Sequence, residues 1–147
     1  MGFTSMEIVF MGTGTSHGVP MIGCNCEICS SDNPRNHRTR TSVHVRIGEY
    51  AVQVDVAPEF RLQCVANRIS KIDSVILTHA HADHMAGMDD LRCFVDFRDG
   101  KGVPVFGFDE VLERLHSMYP YAVRDKPEFR GYPAFIPHRV ERNQILE

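Results

Sequence analysis

A chain of 147 residues, 43% hydrophobic and 24% charged, has the size and balance of one globular domain. A net charge of −3 and a pI near 6.2 exclude a protein that holds nucleic acid mainly by bulk positive charge, and no run approaches the about 18 apolar residues of a membrane span. Five cysteines are an odd count, and Glu7 interrupts any leader-like apolar segment, so a secreted disulfide framework is excluded and a cytoplasmic placement expected.

Met6 to Met11 is an apolar run ending in Gly-Thr-Gly, which predicts a buried strand entering a tight turn. Residues 12–40 hold four glycines and two prolines without periodicity, so a long functional loop is expected, with a cysteine-containing insertion over 23–41. Ser42 to Ile47 alternates as a strand, Gly48-Glu49 turns it, and Tyr50 to Val56 returns as a hairpin. Pro58 suits a first helical turn, and Glu59 to Ile69 reads as helix. Ile72 to Leu77 predicts a short buried strand. Asp89 to Phe97 then has helical spacing, stopped by Asp99-Gly100. Val103 to Phe108 predicts a strand, and Asp109 a cap for a helix to about Met118 with Val111, Leu112 and Leu115 inward. Ala134-Phe-Ile starts a last strand. A hairpin followed by alternating strands and helices predicts a layered α/β sheet protein over residues 1–147. Cys64 and Cys93 fall in helix-like apolar patterns and read as buried small hydrophobes, Met85 and Met88 as core fillers, and His116 and His138 as surface or structural.

The chemistry concentrates after the fourth predicted strand, where His79, His81, Asp83 and His84 lie within six positions. Imidazole is the commonest metal ligand, and mixed imidazole–carboxylate shells suit zinc, manganese and iron. Residues two apart on a helix point to nearly opposite sides, so His79 and His81 can share an ion only from a bent loop. Asp83 and His84 would then face the pocket's other side, an arrangement suited to two adjacent ions. The plain alternative is a histidine-rich surface loop.

His79-Ala-His81-Ala-Asp83-His84 resembles the HxHxDH signature of the metallo-β-lactamase superfamily. Phe10-Met-Gly-Thr-Gly-Thr-Ser-His-Gly-Val-Pro20, followed by Gly23-Cys-Asn-Cys-Glu-Ile-Cys29, is similar to the branch containing the phosphoribosyl cyclic phosphodiesterase of bacterial phosphonate breakdown. The resemblance, over roughly residues 6 to 120, implies an αββα sandwich of which this chain is the N-terminal half. It implies that His79 and His81 bind a first divalent ion and Asp83 and His84 a second, zinc or manganese, with Asp83 also serving as acid or base. Asp55 would brace the motif loop by hydrogen bonds; otherwise it is an ordinary strand-end aspartate.

Cys24, Cys26 and Cys29 offer three thiolates for a structural zinc, which wants a fourth ligand. The resemblance places that fourth ligand, a histidine, far downstream. His37 is the nearest local candidate, with His17 less favoured; three unliganded thiols are the alternative. The glycine loop lacks the Lys-Ser/Thr of a Walker motif and reads equally as a sharp turn. Arg35, Arg38, Arg40 and Arg46, with His37 and His44 among them, either anchor a substrate phosphate or form a solvated loop, the second being favoured.

The function expected is a metal-dependent hydrolase, a phosphodiesterase acting on a small substrate through activated water. A tRNA 3′-end nuclease and a non-catalytic metal-binding module are the alternatives, and the mild acidity argues against the nuclease. The resemblance also implies a later histidine, a bridging aspartate and a final histidine that residues 85–147 do not match. The expectation is therefore a portion incomplete at its C-terminus, able to self-associate as a homodimer through an exposed sheet face.

Overall fold

Six strands form one sheet in chain order. The computed structural model describes residues 5–145. Strands β1 (Met6–Gly12), β2 (Ser42–Ile47) and β3 (Tyr50–Val54) make an antiparallel meander, and β4 (Ser74–Ile76), β5 (Val103–Gly107) and β6 (Phe135–Arg139) extend it in parallel. Helix α1 (Phe60–Asn67) joins β3 to β4, the short α2 (Ala82–Met85) and α3 (Arg92–Asp96) lie between β4 and β5, and α4 (Asp109–Met118) joins β5 to β6. These crossovers all step the same way across the sheet. The right-handed rule for parallel connections then puts every helix on one face.

Burial follows that asymmetry. On the helix side Met11, Ala51, Val75, Val103, Val105 and Phe135 are buried with Phe60, Leu91, Val95, Val111 and Leu115. A fully buried side chain of this size contributes about 1.5–3 kcal/mol, and this single layer is the core. The other face is almost entirely apolar and largely open. Across it the register aligns Phe10, Val43, Val54, Ile76 and Phe106, with Ile8, Val45 and Val52 in the next row. Phe10 is 69% exposed and Ile8 51%. Alternation in β1 to β3 therefore sorts two kinds of apolar residue, one set under helices and one set uncovered.

The predicted elements occur, with local differences. The stretch from Asp89 to Phe97 divides into a 3₁₀ turn over Met88–Leu91 and helix α3. It ends at Asp99 and Gly100, both left-handed with φ of 55° and 75°. Asp109 is the first residue of α4 rather than its cap, which is Phe108. Cys64 is buried, but Cys93 is exposed, because it sits on the outward side of the short α3. His138 stacks on Phe106 with ring centroids 4.9 Å apart, so its ring belongs to the open face.

Candidate metal centre

Ser74 to Ile76 is too short a strand to hold the motif by itself; the loop after β3 does it. The backbone N–H of Val56 donates to the carbonyl of His84 (2.8 Å), and that of Gly87 to the carbonyl of Val56 (3.0 Å). A Cβ on Gly87 would meet the Ala57 carbonyl oxygen at 2.1 Å, so only glycine allows this approach. The histidine segment is thereby laid over Asp55. His81 is the extended residue preceding α2, and Asp83 and His84 occupy its single turn.

Asp55 is 3% exposed and left-handed, with φ of 56°. Its carboxylate accepts the backbone N–H of Thr78 (2.8 Å), the Thr78 hydroxyl (2.8 Å) and Nδ1–H of His84 (2.7 Å). The Thr78 hydroxyl has one proton and gives it to the carboxylate. It must therefore accept from His79 Nδ1, 3.0 Å away. Both imidazoles are thus fixed as Nδ1–H tautomers with bare Nε2 atoms. His79 Nε2 lies 3.1 Å from His81 Nδ1, and His84 Nε2 lies 3.3 Å from Asp83 Oδ2. The His79 and His84 rings are 4.0 Å apart between centroids, so the two pairs lie side by side, while among the described residues three ligand atoms come within 4.8 Å of one another at the thiols alone. Burial pulls the Asp83 carboxyl upward, but a hydrogen bond from Ser16, its own backbone N–H and the adjoining His84 and His79 imidazoles outweigh it and hold its pKa below the ordinary value.

These donors fit divalent cations. Bare imidazole nitrogen facing a carboxylate oxygen is repulsive unless a proton or a cation lies with them. Two imidazole nitrogens on tetrahedral zinc, each about 2.0–2.1 Å from the ion, are about 3.3 Å apart, close to the His79–His81 separation. Thr78 and Ser16 carry no signal in the sequence: an isolated hydroxyl beside a motif is unremarkable until the fold brings Asp55 and Asp83 to it.

The thiols form a second cluster. The ligand atoms of Cys24, Cys26 and Cys29 all lie within 4.8 Å of one another. The backbone N–H of Cys29 and the neighbouring Cys24 and Cys29 thiols bring the Cys26 thiol down to about 7. Cys29 goes the other way: the Met21 N–H pulls it down, but Cys24, desolvation and Cys26 together raise it. His37 does not join them, since its Nε2 is held by the Ser31 carbonyl at 3.1 Å, and neither does His17 among the described residues.

The glycine loop is explained by packing. A Cβ on Gly12 would sit 1.9 Å from the Arg40 carbonyl oxygen, and one on Gly14 2.5 Å from that of Arg38. Arg40 is tied to Glu59 and donates to the Ser16 carbonyl, and Arg46 pairs with Glu7, so neither is a free phosphate anchor.

Residues 49–144 match the beta-lactamase superfamily domain, and this chain belongs to that superfamily. It is 36% identical over 129 residues to an octanoyltransferase of Porphyromonas gingivalis, covering 87% of this chain and 25% of that protein. It is 35% identical over 101 residues to coenzyme PQQ synthesis protein B of Methylorubrum extorquens, covering 59% of this chain and 34% of that one. Among solved structures, a new diphosphatase from the PhnP family superposes with a TM-score of 0.84 at 34% identity, over 97% of this chain and 54% of its own. Zinc-bound PqqB from Methylobacterium extorquens shares the fold with a TM-score of 0.73 at 21% identity, over 97% of this chain and 52% of its own. The chain thus spans between 25% and 54% of the length of these proteins. The mixed sheet with flanking helices is the metallo-β-lactamase fold, matched over about half of each solved neighbour. Among the described residues no helix is long and apolar enough to cross a membrane.

Proposed function

We propose that this chain carries the first-motif metal site of a hydrolase acting on a small phosphodiester. The observation that supports it is the Asp55–Thr78 network, which leaves two imidazole Nε2 atoms bare beside His81 and Asp83. His79 and His81 would hold one divalent ion and Asp83 and His84 a second, zinc or manganese. Such ions supply a hydroxide at neutral pH and polarise a phosphoryl oxygen. The protein's part is orientation: Asp55 holds His84 directly and His79 through Thr78, and Ser16 helps keep the Asp83 pKa below its ordinary value. Asp83 would also take or return a proton beside the scissile bond. Cys24, Cys26 and Cys29 would hold a separate structural zinc.

The likeness to the diphosphatase, at 34% identity, favours phosphoester chemistry over acyl transfer, since the octanoyltransferase match covers only 25% of that protein. A net charge of −3 disfavours a tRNA substrate. A cytoplasmic setting suits three free thiols. The second reading, a metal-binding module without turnover, rests on the two side chains available to each ion. The open sheet face favours self-association of this chain.

Metal content by mass spectrometry, with turnover of bis(p-nitrophenyl) phosphate, tests this. Two or more equivalents of metal and turnover abolished by His81→Ala are expected. Full metal loading without turnover would leave the module.

A further inference from the structure

The sheet beneath Asp55 is polar where a core should be apolar. Ser42, His44 and Gln53, on the helix-covered side of β2 and β3, and Asp55, just after β3, are all buried, at 0%, 5%, 0% and 3% exposure. The Gln53 amide Nε2 donates to the Asp55 carbonyl oxygen (2.8 Å) and the Ser42 hydroxyl (2.8 Å), with the Val54 carbonyl further off at 3.3 Å. The Ser42 hydroxyl in turn donates to the same Asp55 carbonyl, at 3.1 Å. Two buried side chains therefore converge on one backbone oxygen.

That oxygen belongs to a residue in a conformation L-residues seldom hold. Asp55 has φ of 56° directly after β3, and this left-handed step turns its carboxylate toward the end of β4. Its N–H is held by the Ile76 carbonyl at 2.9 Å. Gln53 and Ser42 are the side chains that hold its other end. Burying an amide and a hydroxyl is costly unless they are bonded; the Gln53 Nε2 and the Ser42 hydroxyl are, Gln53 Oε1 is not, and so a role in shape alone would be met better by apolar residues.

We infer that Gln53, assisted by Ser42, is a positioning residue for the imidazole cluster: it fixes the left-handed backbone of Asp55, and Asp55 fixes Thr78, His79 and His84. This rests on the proposed metal site and extends it by a layer that touches none of the ligands. His44 stands opposite Gln53 in the β2–β3 register, closing the buried row.

Gln53→Leu keeps the volume and removes the amide that donates to the Asp55 carbonyl, leaving Ser42 alone there. Two readouts are needed: zinc affinity by competition with a chromophoric chelator, and amide hydrogen exchange at Thr78 in the metal-free protein. The Thr78 N–H reports directly on the Asp55 carboxylate. Expected are about tenfold weaker zinc binding at the imidazoles, no change at the thiols, and Thr78 exchange at least about tenfold faster relative to β4 and β5 amides. Ser42→Ala removes one of the two donors and should move both readouts the same way by a few-fold; it also serves if Gln53→Leu does not fold. Unchanged zinc affinity and Thr78 protection, with only the melting temperature shifted, would overturn the inference. If the wild type holds no ion at the imidazoles, the metal site fails as a reading, and Thr78 exchange alone still decides whether Gln53 positions Asp55.

Discussion

The two donor clusters of this chain are built in opposite ways. The imidazoles stand on a buried carboxylate 3% exposed, itself gripped by the core. The thiols stand on a loop where Cys26 is exposed and the protein's contacts to sulfur are two backbone N–H groups, from Met21 and Cys29. The imidazoles are oriented by hydrogen bonds from the core, whereas the thiols, although within 4.8 Å of one another, have only a loop beneath them. Preorganisation here is a property of what lies under a ligand, not of the ligand's spacing.

The largest expected contrast lies among the thiols themselves. Cys26 is lowered to about 7, whereas burial in α1, helped by Asp90 and Cys93, pushes Cys64 up to about 12. In metal-free protein at pH 7, iodoacetamide should modify Cys26 at least about a hundredfold faster than Cys64, followed by peptide mass mapping. Equal rates would mean that the α1–α3 layer opens easily. Next is Asp55→Ala, which strands the Thr78 and His84 donors. Zinc affinity at the imidazoles should fall by about 10–100-fold and stability by about 3 kcal/mol, with the thiol site untouched, by chelator competition and urea unfolding.

Both clusters were legible in the sequence because their donors lie within six positions of one another. The β2–β3 hairpin and the layered α/β class were legible too, from a turn at Gly48-Glu49 and from strand–helix alternation, but the order of the six strands was not. What braces the imidazoles was not. Gln53 reads as one polar residue in a strand, Ser42 as a strand's first residue, and Thr78 as the letter before the motif. Their meaning comes from contacts across 11 to 29 residues that periodicity cannot report. The exposure of Cys93 escaped for a related reason. A helix split after a 3₁₀ turn no longer keeps the phase a continuous one would have.

A smaller effect probes the buried row through pH. Burial lowers the His44 pKa beneath its ordinary 6.5, with Arg46 acting the same way and Gln53 and Glu7 opposing. The unfolded chain therefore takes up this proton first as pH falls. The stability His44 contributes is complete above pH 6.5 and is lost as pH drops through that value toward the folded pKa. The slope cannot exceed about 1.4 kcal/mol per pH unit, and His44→Leu should flatten it in urea titrations between about pH 6.5 and 5. Smallest is the open sheet face: Phe10→Lys should weaken self-association about tenfold by sedimentation velocity while leaving both donor clusters unaltered. An unchanged sedimentation profile would remove that face from any dimer.

Long-range proton–nitrogen NMR of the imidazole rings bears most directly on the brace beneath the proposed metal site. His79 and His84 should both carry their proton on Nδ1 before metal is added, and stoichiometric zinc should shift their Nε2 resonances. Rings protonated on Nε2, or Nε2 signals that zinc leaves in place, would contradict it.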